Sequence, residues 1–402
     1  MKKTLITSTA ALALFALPVT AQSVQQELSA LRAKVDAQEA AIAELKSADK
    51  GRFVLSAGKG IELKFTGQIN QGVLYTDDGE NTDLFFVEND NSSTRLNITG
   101  TGRISEDVTA GTVFEVEIES NSTAEINQNN TNTSATFKER KLEFYLESKT
   151  LGKLSVGQGD MASNATSESD LSGTTVVGYS SVEDLAGGIL FYDKTAGALS
   201  GTSVGSVFDN FDGLSRQDRI RYDSPKFQGF SLSASIGDGN LNFGSGAPDS
   251  DNEIWDVAAR YDNTLGDVKI SAAVAYAGSD ESDHQFSSSA SFLHTPTGLS
   301  VTGAYAQRDI DSTDGRDPVF YYVKLGWQTE ALSSWGKTAF AVDYGQNDDI
   351  AVLDDEAQSY GFFVVQNIAA INSELYAGVR NYDYSATGQN LDDVTAILVG
   401  GR

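Results

Sequence analysis

The chain has 402 residues, 40% of them hydrophobic, a formal net charge of -27 and no cysteine. That length holds two or three soluble domains or one large β-barrel. The missing cysteines exclude a disulfide framework and any thiolate metal site, and the acidic excess argues against nucleic acid as a partner, because phosphate binding needs a basic surface.

The first element is "MKKTLITSTAALALFALPVTAQ". Lys2 and Lys3 precede an apolar run from Leu5 to Val19, and Val19-Thr20-Ala21 ends it with small residues. This pattern predicts a secretory signal peptide over residues 1–21 rather than a membrane anchor, since the apolar run is short and Pro18 interrupts it. The second element, residues 22–50, has neither Gly nor Pro. Leu28, Leu31, Val35, Gln38, Ile42 and Leu45 recur at spacings of three and four, which predicts a short α-helical coiled-coil segment of about three heptads. Heptads this few are marginal alone, so the segment is expected to serve as a periplasmic oligomer stalk, the alternative being a single amphipathic helix lying on the barrel or in solvent.

Residues 51–402 read differently. Helical signals stop at Gly51, and period-two segments follow, separated by Gly-, Ser-, Asn- and Asp-rich turns. In "GIELKFTGQINQGVLY", Ile61, Leu63, Phe65, Ile69, Val73 and Tyr75 alternate with Glu62, Lys64, Thr66, Gln68 and Asn70. "STRLNITGTGRI", "TVFEVEIES" and "FKERKLEFYLES" continue the pattern, and there are about 16 strand candidates in all from residue 60 to the end of the chain. The fold class is therefore all-β. Alternation alone does not say which face is buried: a sandwich hides its apolar faces, whereas an outer-membrane barrel turns them to lipid. Three features favour the barrel. The strands are near the ~9–11 residues that cross a bilayer at a tilt. Aromatics mark strand ends, among them Tyr75, Tyr222, Phe227, Tyr261, Tyr276, Tyr305, Trp327, Trp335, Tyr344 and Tyr376, as two membrane–water girdles require. Short turns such as Thr264-Leu265-Gly266 alternate with long acidic loops such as "DGNLNFGSGAPDSDNE".

Two segments carry a family likeness. "FKERKLEFYLESKTLGKLSVGQGD", residues 137–160, resembles the porin segment in which a strand, a Leu-Gly-Lys turn and a second strand lead into the constriction loop. "RQDRIRYDSPKFQGFSLSASIG", residues 216–237, is similar to the porin pattern of a basic strand, Tyr-x-Ser-Pro and an aromatic-Gly-Phe strand. The resemblance is to the general trimeric porins of the Gram-negative outer membrane, over residues 60–400. Two departures stand out: general porins usually lack the heptad segment, and they usually end in an aromatic residue where this sequence has "ILVGGR".

The resemblance implies a water-filled, homotrimeric barrel of about 16 strands with a third outer loop folded inward. That loop would span residues 158–187, with Asp160, Glu168, Asp170, Glu183 and Asp184 as its acids. The facing wall would carry Lys64, Arg95, Arg103, Arg140, Lys141, Arg219 and Arg221, and the field between acids and bases would orient solutes. Glu62, Glu115, Glu117, Glu119, Glu143 and Glu147 lie on the wet faces of early strands, which predicts a cation preference. The expected function is passive diffusion of small hydrophilic solutes and ions. A substrate-selective channel and a secreted β-rich adhesin are the alternatives. No cofactor is implied, although acidic outer loops such as "PDSDNE" and "NDDIAVLDDE" supply oxygen ligands suited to weak Ca²⁺ binding or bridging to lipopolysaccharide. Catalysis is not expected: no G-x-S-x-G elbow accompanies the two histidines, His284 and His294.

Overall fold

A computed structural model describes residues 53–56, 60–238, 253–279, 284–310 and 315–402. The expected signal peptide and the seam residues Leu28, Leu31, Val35, Ile42 and Leu45 lie outside the described residues. The strands are β1 (Phe53–Ser56), β2 (Ile61–Gln68), β3 (Gln71–Asp77), β4 (Thr82–Glu88), β5 (Arg95–Arg103), β6 (Val108–Glu119), β7 (Thr136–Ser148), β8 (Gly152–Asp160), β9 (Leu190–Asp193), β10 (Ala198–Ser203), β11 (Arg216–Asp223) and β12 (Phe230–Asp238). They continue as β13 (Glu253–Leu265), β14 (Val268–Ser279), β15 (His284–His294), β16 (Leu299–Asp309), β17 (Val319–Thr329), β18 (Thr338–Asp348), β19 (Glu356–Ile368), β20 (Ser373–Ser385) and β21 (Val394–Gly401).

Each strand of the large sheet pairs antiparallel with its neighbour, and the ladder returns on itself where β21 pairs with β3, Gln71 opposite Gly401. A closed sheet has no edge and leaves no strand backbone unpaired, which is the condition for crossing lipid with strands. The strands are also long: β13, β19 and β20 each have 13 residues, enough to span the hydrocarbon at a tilt. Short connections join the strands at one end, for instance Gly266–Asp267 between β13 and β14. There Gly266 takes a φ of +59°, the left-handed conformation that a two-residue turn requires. The two longest connections among the described residues, 120–135 and 161–215, lie at the other end.

The sheet answers the question that alternation leaves open. On β17, Val323 and Leu325 are 46% and 57% exposed, while Lys324 between them is 1% exposed. The same holds on β7, where Leu142, Phe144 and Leu146 face out and Glu143 and Tyr145 face in, and on β19, where Tyr360 and Phe362 face out and Ser359 and Phe363 face in. An apolar outer belt of this extent, on strands that turn charged groups such as Lys324 and Glu143 inward, is stable only in lipid. Aromatic rings border that belt. Near the long loops, Trp255–Tyr276, Phe286–Tyr305, Tyr305–Tyr321 and Tyr344–Tyr360 touch across neighbouring strands, with centroids 5.1–6.1 Å apart. Near the short turns, Phe230–Tyr261 and Trp327–Phe340 do the same at 4.4 and 5.8 Å. Tyr376 is the exception among the expected girdle residues. It points inward, 3% exposed, and its hydroxyl donates to Asn70 Oδ1 at 2.6 Å.

The hydrophobic core lies inside the barrel. Val176, Val177, Leu185, Phe191, Phe208 and Phe211 of residues 161–215 pack on inward residues of the wall, among them Phe320, Phe363, Tyr382 and Leu398. The loop backbone lies close against this wall. A Cβ at Gly178 would collide with the Phe363 ring, and Gly361 and Gly378 make room for the same ring from the strands.

Candidate functional site

The site is built by the loop between β8 and β11. It starts at Met161 and ends at Ser215, so it runs 28 residues beyond the expected end at 187 (215 less 187). The added stretch holds the β9–β10 hairpin and three acids, Asp193, Asp209 and Asp212, of which the last two reach the interior cavity.

Polar side chains of the wall fix this loop to one side of the barrel. Asp256 on β13 grips its root: its carboxylate accepts from Ala162 N at 3.2 Å, Ser163 N at 2.7 Å and the Ser163 hydroxyl at 2.5 Å. On β15, the Ser287 hydroxyl shares a hydrogen bond with that of Thr166, and those of Ser289 and Ser291 accept from Ser169 N and Leu171 N. Lys324 on β17 donates to Asp170 Oδ2 at 2.8 Å and to the Gly178 carbonyl at 2.6 Å, and both side chains of the pair are almost wholly buried. Farther on, Tyr382 donates to the Val182 carbonyl and Asn347 to that of Asp209. A second buried pair, Arg380 with Asp343 at 2.7 Å, stiffens the wall beneath.

Because the loop lies against β12–β21, space remains on the opposite side, against β5–β7. A cavity of about 650 Å³ occupies it. Glu168, Tyr179, Glu183, Asp184, Asp209 and Asp212 line it from the loop, and Arg95, Glu117, Glu119, Arg140 and Arg216 from the strands. Asp90, from a 3₁₀ turn between β4 and β5, and the terminal Arg402 complete its charges. A larger cavity of about 1290 Å³ adjoins it, sharing Arg95, Thr175 and Arg402, and reaches the short-turn residues Glu330, Lys337 and Asn372. The charged cavity thus sits partway along the interior.

The strand bases are largely occupied. Arg140 donates to Glu115 Oε1 and Glu117 Oε1, both at 2.9 Å, and Arg95 lies 3.9 Å from Glu115. Lys138 pairs with Glu119. Both Arg140 and Lys141 point inward because β7 carries a bulge there: Glu115 faces Lys141, while the next residue, Val116, faces Glu139. On the loop, burial away from water pushes the carboxyls of Glu168, Glu183, Asp184 and Asp212 above the ordinary range, and neighbouring carboxylates add to the shift for the last three. Burial and the nearby Asp184 carboxylate likewise raise the Tyr179 phenol, which donates to Asp184 Oδ2 at 2.5 Å.

The expected site residues therefore divide. Glu168, Glu183, Asp184, Arg95, Arg140, Glu117 and Glu119 meet around the cavity. Asp160 sits at the loop root, bonded by Lys141 and by Arg216 at 3.0 Å. Asp170 faces the wall, held by Lys324. Arg219 is buried against Glu143 and donates to the Gly157 and Asp160 carbonyls, and Arg221 pairs with Asp223 and donates to the Asp160 and Met161 carbonyls, so both brace the loop root. Glu115 lies behind Arg140. Glu62 and Arg103 lie at the short-turn end of β2 and β5, and Lys64 is on β2 opposite Thr99; none of the three lines the charged cavity. The two histidines sit at opposite ends of β15, about 33 Å apart along an extended strand, so they cannot share one reacting group. His284 stacks on Tyr276 and His294 bonds Thr297.

The comparisons with known proteins agree with this architecture. No curated protein matches the sequence. Among solved structures, the fold is similar to an anion-selective porin from Comamonas acidovorans, with a TM-score of 0.54 and 15% identity over 85% of this chain and 98% of that one. It is also similar to OmpT of Vibrio cholerae in its trimer form (0.52, 13%, 85% and 99%) and to OprB of Pseudomonas putida (0.58, 10%, 89% and 95%). The Gram-negative porin family profile matches residues 8–387. With an outer wall that only lipid can cover, a polar interior and that match, the chain belongs to the Gram-negative porins of the outer membrane.

Proposed function

We propose that the protein is a passive diffusion channel for small hydrophilic solutes and ions, without catalytic activity, and that it prefers cations. The observation that carries this reading is the charged cavity between the inward loop and the β5–β7 wall. Eight carboxylates line it (Asp90, Glu117, Glu119, Glu168, Glu183, Asp184, Asp209 and Asp212) against four arginines (Arg95, Arg140, Arg216 and Arg402). Five of the acids lie on the loop and all four arginines lie outside it, which supports a transverse field, and the excess of acids supports cation entry, as carboxylate rings do in other pores.

Of the 19 strands in the sheet, β1 is an addition at the edge of β2, and β2 with β3 and β4 with β5 each form one interrupted strand, which supports a 16-stranded barrel. The trimer form of the Vibrio cholerae neighbour supports a homotrimer here. Purified protein reconstituted in a planar bilayer tests the reading. Stepwise insertions, with a reversal potential of cation-selective sign in a potassium chloride gradient, are expected. A clear anion preference would refute the charge assignment.

A further inference from the structure

The wall facing the constriction loop is interrupted. Gln71 pairs with Glu88 and Gln68 with Arg95, so Ile69 and Asn70 on one strand face residues 89–94 on the other. Two residues against six is more than an ordinary bulge, in which two residues oppose one. The surplus folds into the interior as a 3₁₀ turn, Asp90–Ser92, whose residues line the charged cavity.

This excursion is a built feature. Gln68 Nε2 donates to the Ser92 and Ser93 carbonyls at 3.1 and 2.7 Å, and Asn70 Nδ2 to the Ser92 carbonyl at 2.9 Å. Arg402 Nη1 donates to the Ser92 hydroxyl at 2.7 Å. Two bonds tie it to its surroundings across the lumen. Asn89 Nδ2 donates to the Val176 carbonyl of the constriction loop at 2.7 Å. Asp90 N donates to the Thr123 hydroxyl at 3.1 Å, which itself donates to the Asp184 carbonyl of the same loop at 2.6 Å. Asp90 is the acid that this arrangement places at the cavity surface. One carboxylate oxygen each of Asp90, Glu117 and Glu119 lies within 4.8 Å of the others. Glu117 is matched by Arg140 and Glu119 by Lys138, whereas Asp90 has no ion-pair partner among the described residues.

We infer that residues 89–94 are a second jaw of the constriction and that Asp90 is its charge-selecting residue. This rests on the channel reading and adds to it: the opening is bounded by two inward segments that bond each other, and the wall's uncompensated negative charge comes from the strand interruption. One charge a few ångströms from the ion path shifts a permeability ratio by roughly two- to fourfold in a water-filled lumen.

The test uses the full chain at pH 8, with Asp90→Asn and Asp90→Lys compared with wild type in a potassium chloride gradient. The Asp90 side chain makes no hydrogen bond in the barrel ladder, and heat-modifiable migration on gels checks folding of each variant. The expected result is a cation-to-anion permeability ratio lowered about two- to fourfold by Asp90→Asn and lowered further by Asp90→Lys. A cation-selective wild type with unchanged ratios in both folded variants overturns this inference alone. A folded wild type that forms no channels overturns the channel reading and this inference together.

Discussion

The Lys324–Asp170 pair offers a direct test of how the constriction loop is held. Replacing Lys324 by Met keeps most of the side-chain volume but strands two groups: the Asp170 carboxylate and the Gly178 carbonyl lose the ammonium at 2.8 and 2.6 Å. Breaking a buried ion pair by removing one partner costs about 3–5 kcal/mol, because the remaining charge is desolvated and unmatched. At about 1.4 kcal/mol per tenfold, this lowers the docked fraction of the segment around residues 170–178 by roughly 150- to 4,000-fold relative to its undocked alternatives. The barrel ladder is not touched, and Ser289, Ser291 and Gln328 still hold the loop on either side of Asp170. The expected phenotype is therefore a folded barrel with a noisy pore: frequent brief closures in single-channel records and faster protease cleavage within the loop. The double variant Lys324→Met, Asp170→Asn removes the stranded charge and should recover most of the quiet behaviour, which a double-mutant cycle measures. Quiet records and unchanged cleavage in the folded single variant would refute the reasoning.

Four further outcomes follow from the structure. Leu325→Arg places a charge on the outer face between Tyr321 and Trp327, and should destabilise the barrel in lipid vesicles by about 2–4 kcal/mol in a urea titration; a change near zero would contradict lipid contact at that position. Asp256→Ala removes the acceptor for Ala162 N, Ser163 N and the Ser163 and Ser235 hydroxyls, and should expose the loop root to protease while leaving the barrel's heat-modifiable migration intact. Arg140→Gln unmasks Glu115 and Glu117 and should raise the cation-to-anion permeability ratio by about twofold. The raised carboxyls of Glu168, Glu183, Asp184 and Asp212 gain protons at higher pH than free carboxyls do. Cation preference should therefore weaken as pH falls from neutral, before reaching the ordinary carboxylate pKa of about 4, and recover on return; a preference flat down to that value would contradict the assignment.

Much of this architecture was readable as period two. Ile61 to Tyr75, Leu142 to Leu146 and the aromatic strand ends other than Tyr376 gave faces whose outward orientation the exposure of their side chains then fixed. The site was less legible, for physical reasons that differ by residue. Arg140 and Lys141 are both polar, so the bulge that turns both inward leaves no mark in the alternation. "VENDNSSTRL" reads as a turn, so nothing in the pattern separates a hairpin from an inward excursion that returns to the same strand. The loop's true end was hidden because Phe191, Phe208 and Phe211 look like strand or surface residues, whereas they pack on the wall inside the barrel. Phe320 and Tyr322 on β17 are covered by that loop for the same reason. Asp209 and Asp212 in "FDNFDGL" were the missed signal: two acids among aromatics, just before a basic strand.

The account depends most on where β7 turns its side chains, and the absence of native cysteine allows a clean scan from residue 136 to 148. Fluorophores attached at single cysteines 137, 139, 142, 144 and 146 should be quenched by lipid-borne nitroxides, and cysteines at 138, 140 and 141 should react with a water-soluble thiol reagent through the pore. The phase of the alternation should slip at the Arg140–Lys141 bulge. An unbroken alternation would contradict the wall geometry at the constriction, and protection of 142, 144 and 146 from lipid would contradict the channel itself.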